Sequence, residues 1–414
     1  MPTDTAAVAK TPPGRPQLDR AVLYDKVLGM LLGSAIGDAM GAPTEMWSRR
    51  DIMVSYGVVN RLDTMVRAPS AEGTWDYNLP AGGTTDDTRW KKLTAEFLLK
   101  QRSGFGTTDQ LKATDFARHL VDTYRSHVED LRAVSGYDPE SFETVTRRMA
   151  WLQEWVPVAE AFVGGNPQTY GMALSKFYGG EVTCAGMLYS PMIGAYYSGK
   201  PTKAYEAAYE LSIFDLGYAR DISALTGAMV ATAMSPHANQ SQVFNVLRDV
   251  DPQGYFKSRL VGRSAYRILQ EAQSIVHAVR QLPRSALDSL YHPYPHTLPI
   301  DTLYWGQMQQ AYAQLELRNQ DLPFHAAEIH LVNLTALLLS DFDFEKALVF
   351  VVNYGRDNDT TGAVTGAILG AYWGADKLPP SMKEAVLRTD ASVVETSLKD
   401  LAARLTDQII NQLL

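Results

Sequence analysis

The chain has 414 residues, of which 46% are apolar and 20% charged, an ordinary globular composition with enough apolar mass for a large core. Its net charge of -8 and the lack of any lysine- and arginine-rich block argue against a nucleic-acid surface, while compact cations stay compatible. Cys184 is the only cysteine, which excludes an internal disulfide framework and a cysteine-based zinc site and fits a reducing compartment; its flanks, EVTCAGM, read as a small buried thiol.

Residues 1–20 hold prolines where a signal peptide needs an apolar core, and no apolar run reaches membrane-spanning length. We expect a flexible leader over 1–20, a helical domain over 21–414, and a cytoplasmic protein without nucleic-acid or membrane partners. The first helical stretch, GMLLGSAIGDAMG, places Gly29, Gly33, Gly37 and Gly41 four residues apart. TRWKKLTAEFLLKQ then puts Trp90, Leu93, Phe97 and Leu98 on one helix face, and FEKALVFVVNY repeats the spacing. Breaks are short: NLPAGG, FVGGNPQ and YHPYPHTLP. His325 and His330 stand five apart in FHAAEIH and read as surface or core residues.

The last informative stretch is GRDNDTTGAVTGAILGAYWG, with Gly362, Gly366, Gly370 and Gly374 at the same four-residue interval. Each glycine inside a helix costs about 1 kcal/mol against alanine. Residues four apart form one ridge of a helix, so a glycine ridge is a groove for a close neighbour, and we expect the two glycine-ridged helices to pack against each other or centrally. Alternating strand patterns are scarce. The simplest architecture is one large all-α domain.

Three acidic clusters accompany these helices: Asp38 and Glu45 in GDAMGAPTE, Asp86 and Asp87 in GGTTDDTRW, and Asp357 and Asp359 in GRDNDTTG. A single aspartate at a helix start is explained by N-capping and the helix dipole. Adjacent carboxylates repel unless a cation or proton offsets them, and with nearby threonine hydroxyls they form an oxygen-only set suited to magnesium, manganese or calcium. No Walker loop, G-x-S-x-G elbow or dinucleotide fingerprint is present.

Taken together, GMLLGSAIGDAMGAPTE, GTTDDTRW and YGRDNDTTGAVTGAILGAYWG resemble, in order and separation, the three motifs of the ADP-ribosylglycohydrolase family. That resemblance implies an orthogonally packed helical bundle with two Mg2+ or Mn2+ ions in a cleft. It implies Thr85, Asp86, Asp87, Asp357, Asp359 and Thr360 as metal ligands, Glu45 close to the scissile bond, with Glu45 or Asp87 relaying a proton, and Asp38 in a supporting, substrate-side role. The middle of the chain, GGEVTCAGMLYSPMIGAYY and LSIFDLGYARD, lacks the asparagine and histidine that many members carry, leaving Gly179, Gly180 and Thr183 to approach a phosphate. Arg356 stands where many members have glycine, and we expect it in the cleft, facing an anionic substrate group.

The function expected is metal-dependent hydrolysis of a ribosyl N- or O-glycosidic bond, of an ADP-ribosyl group or a related ribosyl compound. The alternatives are a non-catalytic, crystallin-like or ligand-binding relative, and a two-metal phosphohydrolase. Trp75, Tyr218, Tyr354 and Tyr372 are candidates for stacking a base.

Overall fold

A computed structural model describes residues 19–66, 78–101, 110–134, 146, 150–288, 301–393, 395 and 397–413. Trp75, residues 1–18 of the expected leader and the YHPYPHTLP segment lie outside these residues. Helices dominate, as the periodicity predicts. The only sheet among the described residues is a two-residue pairing of Met65–Val66 with Asn78–Leu79.

Three helices carry the site: α1 (Arg20–Gly41), α2 (Asp86–Leu99) and α3 (Asn358–Trp373). Asp19 caps α1 by accepting from the Ala21 amide at 2.9 Å. From Lys26 to Gly41 every residue of α1 is buried, and α3 is buried from Asn358 to Ala371. Helices apolar all round belong at the centre of a fold, which is where these two sit.

The two glycine ridges interlock antiparallel. Gly29 faces Gly370, Gly33 faces Gly366, Gly37 faces Gly362, and Gly41 meets the backbone of Asn358 and Asp359. A Cβ at any of these positions would overlap the backbone of the opposite helix. The close approach therefore answers the propensity cost, because only glycine leaves room for two backbones in contact. Gly374 ends α3 with φ +83°, a left-handed conformation that glycine adopts without strain.

Around this pair, α2 packs against α1 and against the helices Ser190–Tyr196 and Leu398–Leu413. Trp90 of α2, fully buried, packs edge-on or tilted against Trp151, Trp155, Tyr189 and Phe214 at ring separations of 4.4–6.0 Å. This aromatic cluster sets the floor beside which the acidic motifs gather.

Candidate active site

The interlocked ridges end at Gly41 and Asn358, so the end of α1 and the start of α3 are fixed side by side. The chain leaving α1 turns through Ala42–Thr44 to Glu45, and the chain entering α3 meets it there. Met46 donates its amide to the Arg356 carbonyl at 2.7 Å, and Arg356 donates to the Trp47 carbonyl at 2.8 Å. Asn358 reinforces the join with its amide nitrogen on Thr44 Oγ1, 2.8 Å. Glu45 and Asp357 are brought together by backbone pairing across more than three hundred residues of sequence.

The start of α2 is tied to the same point through Asp38, which is fully buried. The Thr85 amide and hydroxyl both donate to Asp38 Oδ1 at 2.9 Å. The Thr88 amide and hydroxyl donate to Oδ2 at 3.0 and 2.5 Å. With all four donors on one carboxylate, Asp38 has no oxygen left for a substrate. It clamps α2 to α1 instead of taking the substrate-side role expected of it.

A cavity of about 440 Å³ opens at this junction, and Glu45, Asp86, Asp357, Asp359 and Thr360 face it. Asp359 Oδ2 lies 3.1 Å from the same Thr85 hydroxyl, whose one proton it shares with Asp38 Oδ1. Its Oδ1 is buried with no N–H or hydroxyl partner among the described residues, and the Asp357 carboxyl, when protonated, is the group that shares a proton with Asp359. Asp357 Oδ2 takes a weak bond from the Cys184 thiol at 3.7 Å. Asp87 and Thr85 lie behind the cavity wall. Asp87 Oδ1 is 3.3 Å from Lys91 Nζ, and Oδ2 accepts from the Thr360 hydroxyl at 2.9 Å. Thr85 is the N-cap of α2, so capping accounts for that threonine as well as its tie to two aspartates.

Burial and crowding leave a mark on these acids. Asp357 is pushed well above the usual carboxylate range by burial first and then by Asp359 and Glu45. Asp86 is raised well above that range by burial and by Asp87 and Asp359. Asp359 is raised to about 6 by burial and Asp87, and Asp38 to about 7 by burial, Asp87 and Asp359 despite its hydrogen bonds. Carboxylates so placed call for positive charge.

Other predicted residues fall differently. Thr183 reaches the cavity wall, where its hydroxyl is buried without a partner, and the thiol of Cys184 is buried beside it. Of the two glycines, Gly179 lines the cavity and Gly180 does not. Arg356 does not take the cleft position expected for it: its guanidinium makes two bonds to Glu328, at 2.7 and 2.9 Å, and one to the Gln320 carbonyl at 2.7 Å. The reason is local, since Glu328 is buried and needs a cation. The Arg356 backbone is left-handed, φ +64°, a conformation that suits glycine at this position. Tyr218, Tyr354 and Tyr372 are absent from the cavity lining. Tyr354 bonds Asn319, Tyr218 lies near the His325 ring and Tyr372 packs on Phe342. The rings that do line it are Trp151, Trp155, Tyr178 and Phe324. Nothing in their spacing marks them, because they come from three separate segments. His325 caps the helix Ala326–Leu339 by accepting from the Ala327 amide, and His330 is buried.

Among the described residues, no three acidic, histidine or cysteine side chains are already drawn into a closed ligand set. The fit to a hard divalent cation rests on donor chemistry: oxygen-only side chains on a cavity wall, one of them the orphaned Oδ1 of Asp359.

The protein is all-helical at its core, with two interlocked glycine-ridged helices and aspartates gathered at one end of their contact. The ADP-ribosylglycohydrolase family profile matches residues 19–412, and the chain belongs to that family. It is similar to the uncharacterized protein YegU of Escherichia coli (strain K12), with 23% identity over 380 residues, covering 90% of this chain and 96% of that protein. A solved structure described as an ADP-ribosylglycohydrolase-related protein complex shares its fold, with a TM-score of 0.57 and 18% identity over 94% of this chain and 99% of the other. Among the described residues no helix is long and apolar enough to cross a membrane.

Proposed function

We propose that this protein hydrolyses the N- or O-glycosidic bond of a ribosyl group, an ADP-ribosyl group first among candidates, with a divalent cation, Mg2+ or Mn2+, in the cavity. The observation that carries the reading is the orphaned Asp359 Oδ1, facing the same cavity as Asp86, Asp357 and Glu45. Asp86, Asp357, Asp359 and Thr360 are the residues that would hold the cation. When bound, it supplies positive charge that orients the ribose hydroxyls and polarises a water.

Breaking the C1'–N or C1'–O bond develops oxocarbenium character on the ribose, so the site needs nearby negative charge and a held water. The carboxylates supply the charge. Glu45, on the cavity wall and mostly buried, is placed to accept the water proton as it attacks C1'. The leaving group and any base have the Trp151, Tyr178 and Phe324 rings for apolar contact, and Lys176 is a basic side chain on the same wall. Because Asp87 is engaged by Lys91 and Thr360, the base role is assigned to Glu45 alone. An intracellular setting with a reduced Cys184 belongs to the same proposal.

A non-catalytic, crystallin-like role would gain nothing from crowded buried carboxylates whose charge costs stability. The test is a panel of ADP-ribosylated proteins and ribosyl compounds with and without Mg2+ or Mn2+. Cation-dependent release of ADP-ribose or a ribose product is expected, falling by about 100-fold or more in Glu45→Gln. Cation binding without turnover on any member of the panel would sink the proposal.

A further inference from the structure

The aspartates of the site divide into two sets. Asp86, Asp357 and Asp359 face the cavity, whereas Asp87 is turned into the protein, where both of its oxygens are already engaged. The engaging cation is Lys91, four residues on along α2 and only 1% exposed, as is Asp87. Its ammonium also donates to the Asp87 backbone carbonyl at 3.0 Å. Lys91 therefore sits one turn inside the helix with its charge brought back to the helix start, at the edge of the acidic cluster.

A buried ammonium is retained only when it is paired and hydrogen-bonded, and here the pair is made with a residue that the sequence motif offers as a metal ligand. A carboxylate oxygen turned to an N–H is a poor donor to a second cation. A divalent ion brought to the same carboxylate would also lie beside the ammonium and be repelled by it. In the cavity-facing set the Arg89 charge acts on Asp86, whereas Asp359 Oδ1 has no N–H or hydroxyl partner among the described residues.

We propose that the Lys91 ammonium acts as a built-in positive charge on Asp87, so that the centre takes one divalent cation, held by Asp86, Asp357 and Asp359, in place of two. The inference rests on the cation-dependent reading above. Lys91 is a positioning residue: it holds Asp87, which through its bond from Thr360 steadies the cavity wall.

The stoichiometry of the intact protein tests this, by titration calorimetry with Mg2+ and by elemental analysis after loading with Mn2+ and removal of excess ion. About one ion per chain is expected, with the six-line spectrum of an isolated Mn2+ in electron paramagnetic resonance. In Lys91→Met, which removes the charge and keeps the length, Asp87 is released and a second ion should bind, with an exchange-coupled Mn2+ spectrum. Lys91→Arg keeps the charge and should stay at about one. Two ions in the unaltered protein, whatever the variants do, overturn the role of Lys91 and leave cation dependence standing. A folded Lys91→Met that still takes a single ion also overturns it. No bound ion in the unaltered protein removes the cation-dependent reading itself, and the inference with it.

Discussion

Asp359 and Asp38 carry the same side chain and are both fully enclosed, yet their surroundings give them opposite work. Asp38 collects four donors from Thr85 and Thr88, whereas Asp359 keeps one oxygen without any. Replacing Asp38 by asparagine puts an amide where Thr85 or Thr88 donates, leaving buried donors unmatched. A loss of about 3 kcal/mol in unfolding free energy is expected, measurable by denaturant titration with or without cation. Asp359→Asn should instead leave stability without cation equal or higher, since a crowded buried charge is removed. It should weaken Mg2+ or Mn2+ binding by at least about 100-fold in calorimetry. If both variants lost only stability, the division between clamp and ligand would be wrong. The acidic pairs were legible in the sequence because adjacent carboxylates demand a counter-charge. Which oxygen is engaged was not, since Lys91, Thr360 and Thr85 meet these acids only after folding.

At the scale of elements, the glycine ridges set the geometry of the site. The four-residue spacing predicts a close helix contact, and the structure makes it between α1 and α3, so carboxylates from opposite ends of the chain arrive together. Alanine in a helix interior normally gains about 1 kcal/mol over glycine. Here Gly33→Ala or Gly366→Ala forces a methyl into the facing backbone, and a net loss of about 3 kcal/mol is expected. Cation affinity should fall as well, because separating the ridges moves Asp357 and Asp359 away from Asp86. A thermal melt of either variant at or above that of the unaltered protein would contradict this packing account. The Arg356 turn was legible only in part. Its place beside Asp357 drew attention, but the left-handed backbone accompanies a strand-like join to residues 46–47, and Glu328 draws the side chain from the separate helix Ala326–Leu339. What this turn gives the site is the backbone pairing of residues 46–47 with 356, while the side chain points elsewhere.

Across the whole molecule, buried polar groups away from the acidic cluster also contribute to the pH response. His330 is held down to about 3, first by burial and then by the Arg263 charge. Its folded value lies below the ordinary one near 6.5, so the unfolded chain takes up the proton first as pH falls. The stability tied to neutral His330 is therefore complete above pH 6.5 and is lost progressively as pH falls toward 3. Relative to His330→Leu, the unaltered protein should lose about 2 kcal/mol of unfolding free energy between about pH 8 and about pH 5. A constant difference over that range would show that His330 titrates in the folded protein as it does in the unfolded chain.

The sequence by itself determined that the chain is helical, that two of its helices must meet neighbours closely, and that acidic pairs stand at helix starts. These follow from periodicity, the cost of glycine in a helix and like-charge repulsion, which are all local. Only the tertiary structure decided which helices meet, that Asp38 and Asp87 turn inward while Asp86, Asp357 and Asp359 turn to the cavity, and that Trp151, Tyr178 and Phe324 supply its rings. Apart from the Lys91–Asp87 pair within α2, those outcomes depend on side chains far apart along the chain, whose hydrogen bonds and charges acquire partners only when the core closes.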